Sequence, residues 1–423
     1  MDLDAGLTAL LAWALLAGAA AATLAWGWVA LVSGAGAVLD HPLDEPTAEP
    51  VGPLAGVTVV VPGRDEADHL PQTLQELLAQ DTRRPHRVVF VDDASSDATP
   101  EAVAGLAAAF GDRLLPVRNE QEPPRGWVGK CWAIQRGLAA AGLLADGPVE
   151  DAAPADPGGS GGDWLLFTDA DIHHAPDLVR AAAAHAEARG ADVLALVPRL
   201  VFGGFGERLV QLQLVVALSV MLPLKKAVDP GRPEALTGGA FILVRRRLYA
   251  AAGGHAAVRG EVVEDLKLGQ ALKAAGGRMA VAVAGERLWC RMYDGWADQW
   301  EGLTKNAYPG LDRRPLVAAG LGAATLVCNV GPAAYLPAAL ALAGSGGGAA
   351  AWVAAGVAML ALALQAASAD AARRLCGLRW WWALSVPAGS AAYLAILAAS
   401  AWRCTFGGNL WKGRRYPAPP AAE

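Results

Sequence analysis

Residues 7–32 form an unbroken uncharged run dominated by Ala, Leu, Val and Trp, longer than the about 20 residues that cross the hydrocarbon of a bilayer. No water-soluble core needs an apolar stretch of that length. The run lacks a basic start and exceeds the apolar centre of a cleaved signal, so it reads as a retained anchor, with cleavage after its Ala-rich part as the alternative. Three more apolar blocks occupy about 316–343, 349–367 and 380–402. The bulk figures, 54% hydrophobic, 18% charged and a mean hydropathy of +0.30, therefore average apolar ends with a more polar middle.

Arg313 and Arg314 precede the second block, and Arg373, Arg374 and Arg379 lie between the last two. By the positive-inside rule these loops face the cytoplasm, together with the polar middle of the chain. That describes a multi-pass protein of the cell membrane with its N-terminus outside. The basic tail Lys412-Gly413-Arg414-Arg415 falls on the outer side of this count and resists it. Residues 209–224 are apolar but short, with Gln211 and Gln213 near the start and Lys225-Lys226 at the end. They read as a helix of about 207–228 lying in the membrane interface, against the alternative of a buried core helix.

The net charge of −6 argues against a nucleic-acid partner, because phosphate binding wants clustered Lys and Arg. The five cysteines are scattered, with no pair at metal-ligand spacing, which fits a reducing compartment and gives them no catalytic part. The expected organisation is an anchor at 1–35, a linker at 36–53, a catalytic domain at 54–310, membrane helices at 316–402 and a tail at 403–423. Residues 146–163, rich in Gly, Pro, Ala and Asp, read as a surface insertion.

Within the middle, short β-rich runs alternate with amphipathic stretches: 57–61, then 70–79, then 87–91, then 100–110, and later 164–167. Alternation at this spacing predicts βαβ units and a mostly parallel sheet, an α/β domain. Each strand ends in acidic residues: Pro62-Gly63-Arg64-Asp65-Glu66, Asp92-Asp93-Ala94-Ser95-Ser96-Asp97, and Asp169-Ala170-Asp171. In open α/β sheets ligands bind at the carboxyl ends of the strands. The Asp93–Asp97 stretch is equally explained as turn and cap chemistry. Asp169 and Asp171 are harder to explain that way, since two carboxylates after a buried strand want a counter-cation, and a diphosphate-bound Mg²⁺ or Mn²⁺ would supply one. Lys130, flanked by glycine at the start of a helix, can offer a point charge to phosphate, although alone it reads as a surface lysine. His173 and His174, just beyond, read as exposed loop histidines rather than extra ligands.

The ordered set Val-Pro-Gly-Arg-Asp-Glu, Val-Asp-Asp-Ala-Ser-Ser-Asp, Gly-Trp-x-Gly-Lys, Asp-Ala-Asp, then Thr237-Gly238-Gly239-Ala240-Phe241 and Glu264-Asp265, resembles the family 2 glycosyltransferases over roughly 57–308. The resemblance implies the GT-A nucleotide-sugar-binding fold and an inverting, metal-dependent sugar transfer. It implies that Pro62, Arg64, Glu66 and Asp92 line the nucleoside pocket, with Lys130 near the donor's diphosphate. Asp169 would approach the ribose and Asp171 would ligate the metal. Gly238 and Gly239 would let backbone come close to a sugar. Asp265 would be the general base, with Glu264 beside it to raise its pKa. Processive synthases of the family carry Gln-x-x-Arg-Trp, whereas this chain has Asp298-Gln299-Trp300 without the Arg. That favours one sugar added to a membrane lipid, with Trp300 on the acceptor side. The segment around Trp300 and the terminal Trp411-Lys412-Gly413-Arg414 resemble the carotenoid- and hopanoid-associated members. A polysaccharide synthase and a non-catalytic membrane scaffold are the competing functions, and retention of both Asp171 and Asp265 weighs against the scaffold.

Overall fold

A computed structural model describes residues 3–32, 42–43, 56–82, 86–120, 122–144, 164–221, 224–407, 409–411 and 414–416. Most of the linker, the insertion at 146–163 and Lys412-Gly413 of the tail lie outside these residues. The chain divides into two compact units. One is drawn from 40–201 and 224–292, the other from 1–39, 202–223 and 293–423.

Seven strands make the main sheet of the first unit: β1 (Val57–Gly63), β2 (His86–Asp93), β3 (Leu114–Asn119), β4 (Trp164–Phe167), β6 (Val193–Val197), β8 (Ile242–Arg245) and β9 (Met279–Val283). Their order across the sheet is β3-β2-β1-β4-β8-β6-β9. All neighbours run parallel except β8, which is antiparallel to both β4 and β6. The apolar runs read from the sequence at 57–61, 87–91 and 164–167 are β1, β2 and β4. Val59, Val60, Val61, Val88, Val89, Phe90 and Val91 are buried on both faces of the sheet, the condition under which parallel strands lose polar alternation. From β1 the chain builds outward through β2 and β3, then returns to lay β4 on the other side of β1. That reversal opens a crevice at the carboxyl ends of β1 and β4. A smaller sheet joins β5 (Ile172–His174), β10 (Leu288–Cys290) and β7 (Arg199–Leu200).

Among the described residues of the second unit, four helical stretches are long and apolar enough to cross a membrane: Gly6–Leu31, Pro315–Gly344, Gly348–Leu375 and Trp380–Phe406. A π-helical turn, Leu326–Val330, interrupts the second of them, and such a turn takes carbonyls out of the regular i→i−4 pattern. Here they are answered by side chains. Trp26 Nε1 donates to the Cys328 carbonyl at 3.0 Å, and Gln365 Nε2 donates to the Cys328 and Asn329 carbonyls at 2.8 and 3.1 Å. In a bilayer such bonds would be obligatory, because no water there could replace them. In the same unit helix Phe205–Met221 is tied to helix Trp296–Asn306 through Gln299. That side chain is fully buried, accepts from Gln211 Nε2 at 3.2 Å and donates to the Gly206 carbonyl at 3.1 Å.

Candidate active site

The loops after β1 and β2 fasten to each other by side chains bonding to main chain. Asp65 and Ala94 both have left-handed backbone, φ 53° and 58°, a conformation that costs a non-glycine residue about 1–3 kcal/mol and needs support. The support is a ladder. Asp65 N–H donates to Ser95 Oγ (2.9 Å), Ser96 N–H to Asp65 Oδ1 (2.7 Å), Glu66 N–H to Thr99 Oγ1 (2.9 Å) and Ala67 N–H to Asp97 Oδ2 (3.1 Å). Desolvation opposes ionisation of Asp97, but the hydrogen bonds from Thr99 and Ala67 together outweigh it and hold the carboxyl below its ordinary range. Arg64 lies across the same seam, donating from Nη1 to the Asp93 carbonyl at 2.9 Å. Asp92 accepts the Ser95 N–H on Oδ1 at 2.8 Å. Its Oδ2 is buried with no hydrogen-bond partner among the described residues, and Arg118 Nε stands 3.5 Å away. Apart from that ion pair, this buried oxygen has acceptor capacity a ligand N–H could fill.

Opposite this seam, charges crowd together. Thr168, just past β4, donates to the Ala240 carbonyl at 2.7 Å, and Asp169 N–H donates to the Gly239 carbonyl at 3.1 Å. These bonds lay the 237–241 loop along the end of β4. Thr237 Oγ1 donates to the Asp265 carbonyl at 2.7 Å, and Gly239 N–H donates to Asp265 Oδ2 at 2.9 Å. Helix Gly129–Ala140 presents Lys130 in its first turn. The ammonium lies 2.7 Å from Asp169 Oδ1 and 2.7 Å from Glu264 Oε1. Desolvation would lower the Lys130 pKa, but Asp169, Glu264 and Asp265 together raise it well above the ordinary value, so the ammonium stays charged. Desolvation and the adjacent Glu264 push the Asp265 carboxyl up to about 6, against the opposing pull of Lys130.

Pro62, Lys130, Asp169, Gly239, Glu264 and Asp265 line one pocket. The structure thus brings together six of the residues expected from the motifs, while Arg64, Glu66 and Asp92 stand on the β1–β2 seam. The two glycines differ. A Cβ on Gly239 would come within 2.3 Å of Asp169 Oδ2 and 2.8 Å of Lys130 Nζ, whereas one on Gly238 would meet nothing within 4 Å. Of the two, only Gly239 would set its Cβ against charged side chains of the pocket. Trp300 belongs to the helical unit, where it packs with Val210, Tyr293 and Leu303. Ile134, Phe167, Thr168 and His255 also line the pocket. No motif pointed to them.

Asp171 sits at the head of β5 and is partly exposed. Burial pushes the Cys290 thiol far up, and the charges of Asp171 and Asp169 act in the same direction, so both carboxylates lie in the corner beside β10. The two histidines after Asp171 correct the sequence reading: both are buried. Antiparallel pairing of β5 with β10 covers them. His173 stacks on Trp289 at 3.7 Å between ring centroids and bonds Glu76 at 3.2 Å, and His174 Nε2 pairs with Thr168 Oγ1 at 3.1 Å. Burial and neighbouring His173 lower the His174 pKa to about 3, leaving it a neutral packing residue.

The sequence matches the family described as Glycosyltransferase like family 2 over residues 53–290, more than half of the chain. This chain is a family 2 glycosyltransferase. No curated protein matches it significantly. Among solved structures the glycosyltransferase resembles the mannosyltransferase PcManGT from Pyrobaculum calidifontis, solved in complex with GDP-Man and Mn²⁺. The TM-score is 0.52 and the identity 21%, over 94% of this chain and 99% of that one. Weaker likeness extends to TarS 1-349 of S. aureus in complex with UDP, with TM-score 0.36 and 16% identity over 60% of this chain and 65% of that one. Glucosyl-3-phosphoglycerate synthase from Mycobacterium tuberculosis gives 0.35 and 19%, over 60% and 80%. The likeness to PcManGT establishes the fold, and the family 2 glycosyltransferase has the GT-A architecture.

Proposed function

We propose that this glycosyltransferase moves a single sugar, with inversion, from a nucleotide-sugar donor to a membrane lipid alcohol. The observation that carries the proposal is the shared pocket of Asp169 and Asp265, bridged by Lys130 and the Gly239 backbone. On this reading the nucleoside lies on the β1–β2 seam, against Pro62, Arg64 and Glu66, and a base N–H bonds the spare Oδ2 of Asp92. Asp169 turns to the ribose, and Lys130 moves from its two carboxylates to the donor's diphosphate. The acceptor hydroxyl oxygen attacks the anomeric carbon as the bond from that carbon to the phosphate oxygen breaks. The electron pair leaves with the nucleoside diphosphate, and the hydroxyl proton passes to Asp265. The Asp265 carboxylate is aimed by two backbone N–H donors, Gly239 at Oδ2 and Leu266 at Oδ1 (2.8 Å). Burial, and then crowding by Glu264, raises its basicity, as a general base requires.

Among the described residues no group of three His, Cys, Asp or Glu side chains could hold a metal ion by itself. The hard oxygens of Asp171, with those of Asp169 nearby, suit a divalent cation that draws its other ligands from phosphates and water. Asp171 would hold Mg²⁺ or Mn²⁺, which when bound stabilises charge on the departing diphosphate. PcManGT, of the same fold, was solved with Mn²⁺ and GDP-Man.

Four helices suited to a bilayer support a lipid acceptor and a place in the cell membrane. The basic residues Arg313, Arg314, Arg373, Arg374 and Arg379 favour a cytoplasmic site. Gln299 favours single transfer over processive synthesis, because its side chain is consumed by Gly206 and Gln211 and cannot grip a growing chain. The test supplies purified protein with Mn²⁺, a panel of labelled UDP- and GDP-sugars and a lipid extract. Release of nucleoside diphosphate with label in one lipid of defined mass supports the reading. Polymeric label or no turnover with any donor would overturn it.

A further inference from the structure

His255 is a pocket residue whose protonation pattern is fixed by its partner. It stands in a four-residue helix, Gly254–Ala257, whose first residue has φ +54°. A Cβ on Gly254 would come within 2.6 Å of the Tyr249 ring, so glycine is what lets this phenol reach His255. The Tyr249 hydroxyl accepts the His255 backbone N–H at 3.0 Å and lies 2.8 Å from His255 Nδ1. Were Nδ1 to carry a hydrogen, the buried hydroxyl would face two donors and its own hydrogen would have no acceptor, an expensive arrangement in the interior. The hydroxyl therefore donates to Nδ1, and the ring's hydrogen sits on Nε2. Phe167 meets the ring edge-on, 4.9 Å between centroids. Burial, reinforced by the Lys130 charge, lowers the His255 pKa to about 3 and keeps the ring neutral.

Among the described residues Nε2 has no hydrogen-bond partner. It is not one of the unpaired side-chain atoms sealed from solvent. His255 lines the pocket with Lys130, Asp169, Gly239 and Asp265. A neutral N–H in a pocket where Lys130 already serves anionic oxygen is suited to a neutral oxygen. We infer that His255 Nε2–H donates a hydrogen bond to a hydroxyl of the donor's sugar, making it a sugar-binding residue of this transferase. The inference rests on the reading of the pocket as a nucleotide-sugar site.

The test measures binding of UDP, GDP, UDP-glucose and GDP-mannose to the full-length protein in detergent with Mn²⁺. Wild type is compared with His255→Phe and His255→Gln, the Gln amide keeping an N–H near the Nε2 position. His255→Phe should weaken the bound nucleotide sugar about tenfold, the loss of one good hydrogen bond, and leave the matching nucleoside diphosphate unchanged. His255→Gln should recover most of that loss. Equal weakening of diphosphate and sugar nucleotide, or no change in either, would reduce His255 to a prop for Tyr249 and overturn the inference while the nucleotide-sugar reading stands. A wild type that binds none of the four probes would end both.

Discussion

The β1–β2 seam and the charged pocket are built on opposite principles. The β1–β2 seam is a short-range lattice of hydroxyls and carboxylates bonded to backbone amides, all from residues 64–67 and 92–99. The pocket gathers Lys130, Asp169, Gly239, Glu264 and Asp265 from four separate stretches, and it is held by an ammonium 2.7 Å from two carboxylates rather than by backbone amides alone. A seam of side chains bonded to backbone amides is rigid and pre-shaped. A pocket of opposed charges is poised to exchange partners, since Lys130 can trade a carboxylate for a phosphate at little electrostatic cost. Binding of the nucleotide should therefore depend on the seam and turnover on the pocket.

The largest expected effect sharpens that contrast. Asp265→Asn keeps the Gly239 contact but cannot take a proton, so kcat should fall about 10²–10⁴-fold while nucleoside diphosphate binding, followed by calorimetry, is unchanged. Next, Gly239→Ala drives a methyl into Asp169 and Lys130; a displacement of about 1 Å at reacting groups can cost 10²-fold, so kcat/KM should drop by about that factor. The paired Gly238→Ala should stay within about twofold of wild type, because its Cβ has open space. On the seam, Asp92→Asn puts a donor where the buried Oδ2 accepts. It should weaken nucleoside diphosphate affinity about tenfold with kcat little altered. Loss of kcat with affinity retained would break the division between seam and pocket. The smallest effect belongs to Thr99→Val, which deprives Glu66 N–H of its acceptor. It should cost about 1 kcal/mol in denaturant unfolding and leave the kinetic constants near wild type.

The same contrast explains what could be read from the sequence. The seam was legible because its residues are close in the chain and their chemistry is local: apolar strands ending in Asp and Ser announce both the sheet and the turns. Lys130, Asp169 and Glu264-Asp265 could be named only through the order of motifs. Nothing local says that Lys130 spans two carboxylates, which follows from the 237–241 loop lying against β4. His173 and His174 were misread because their cover, Trp289 and the rest of β10, is supplied from a distant part of the chain. His255 carried no motif at all, and its part depends on a tyrosine six residues earlier brought back by the Gly253-Gly254 turn.

The central claim is that Asp265, made basic by its crowded surroundings, takes the acceptor's proton. The groups acting on it are Glu264 and Asp169, which raise its pKa, and Lys130, which lowers it. The direct measurement is the pH dependence of kcat/KM for wild type and Glu264→Gln. Wild type should be inactive when Asp265 is protonated, gain activity through an apparent pKa near 6 and level off above it. Glu264→Gln removes the like charge, so its rising limb should move to lower pH. Limbs that coincide in the two proteins, or a wild-type rate that does not rise between pH values on either side of that pKa, would contradict Asp265 as the base.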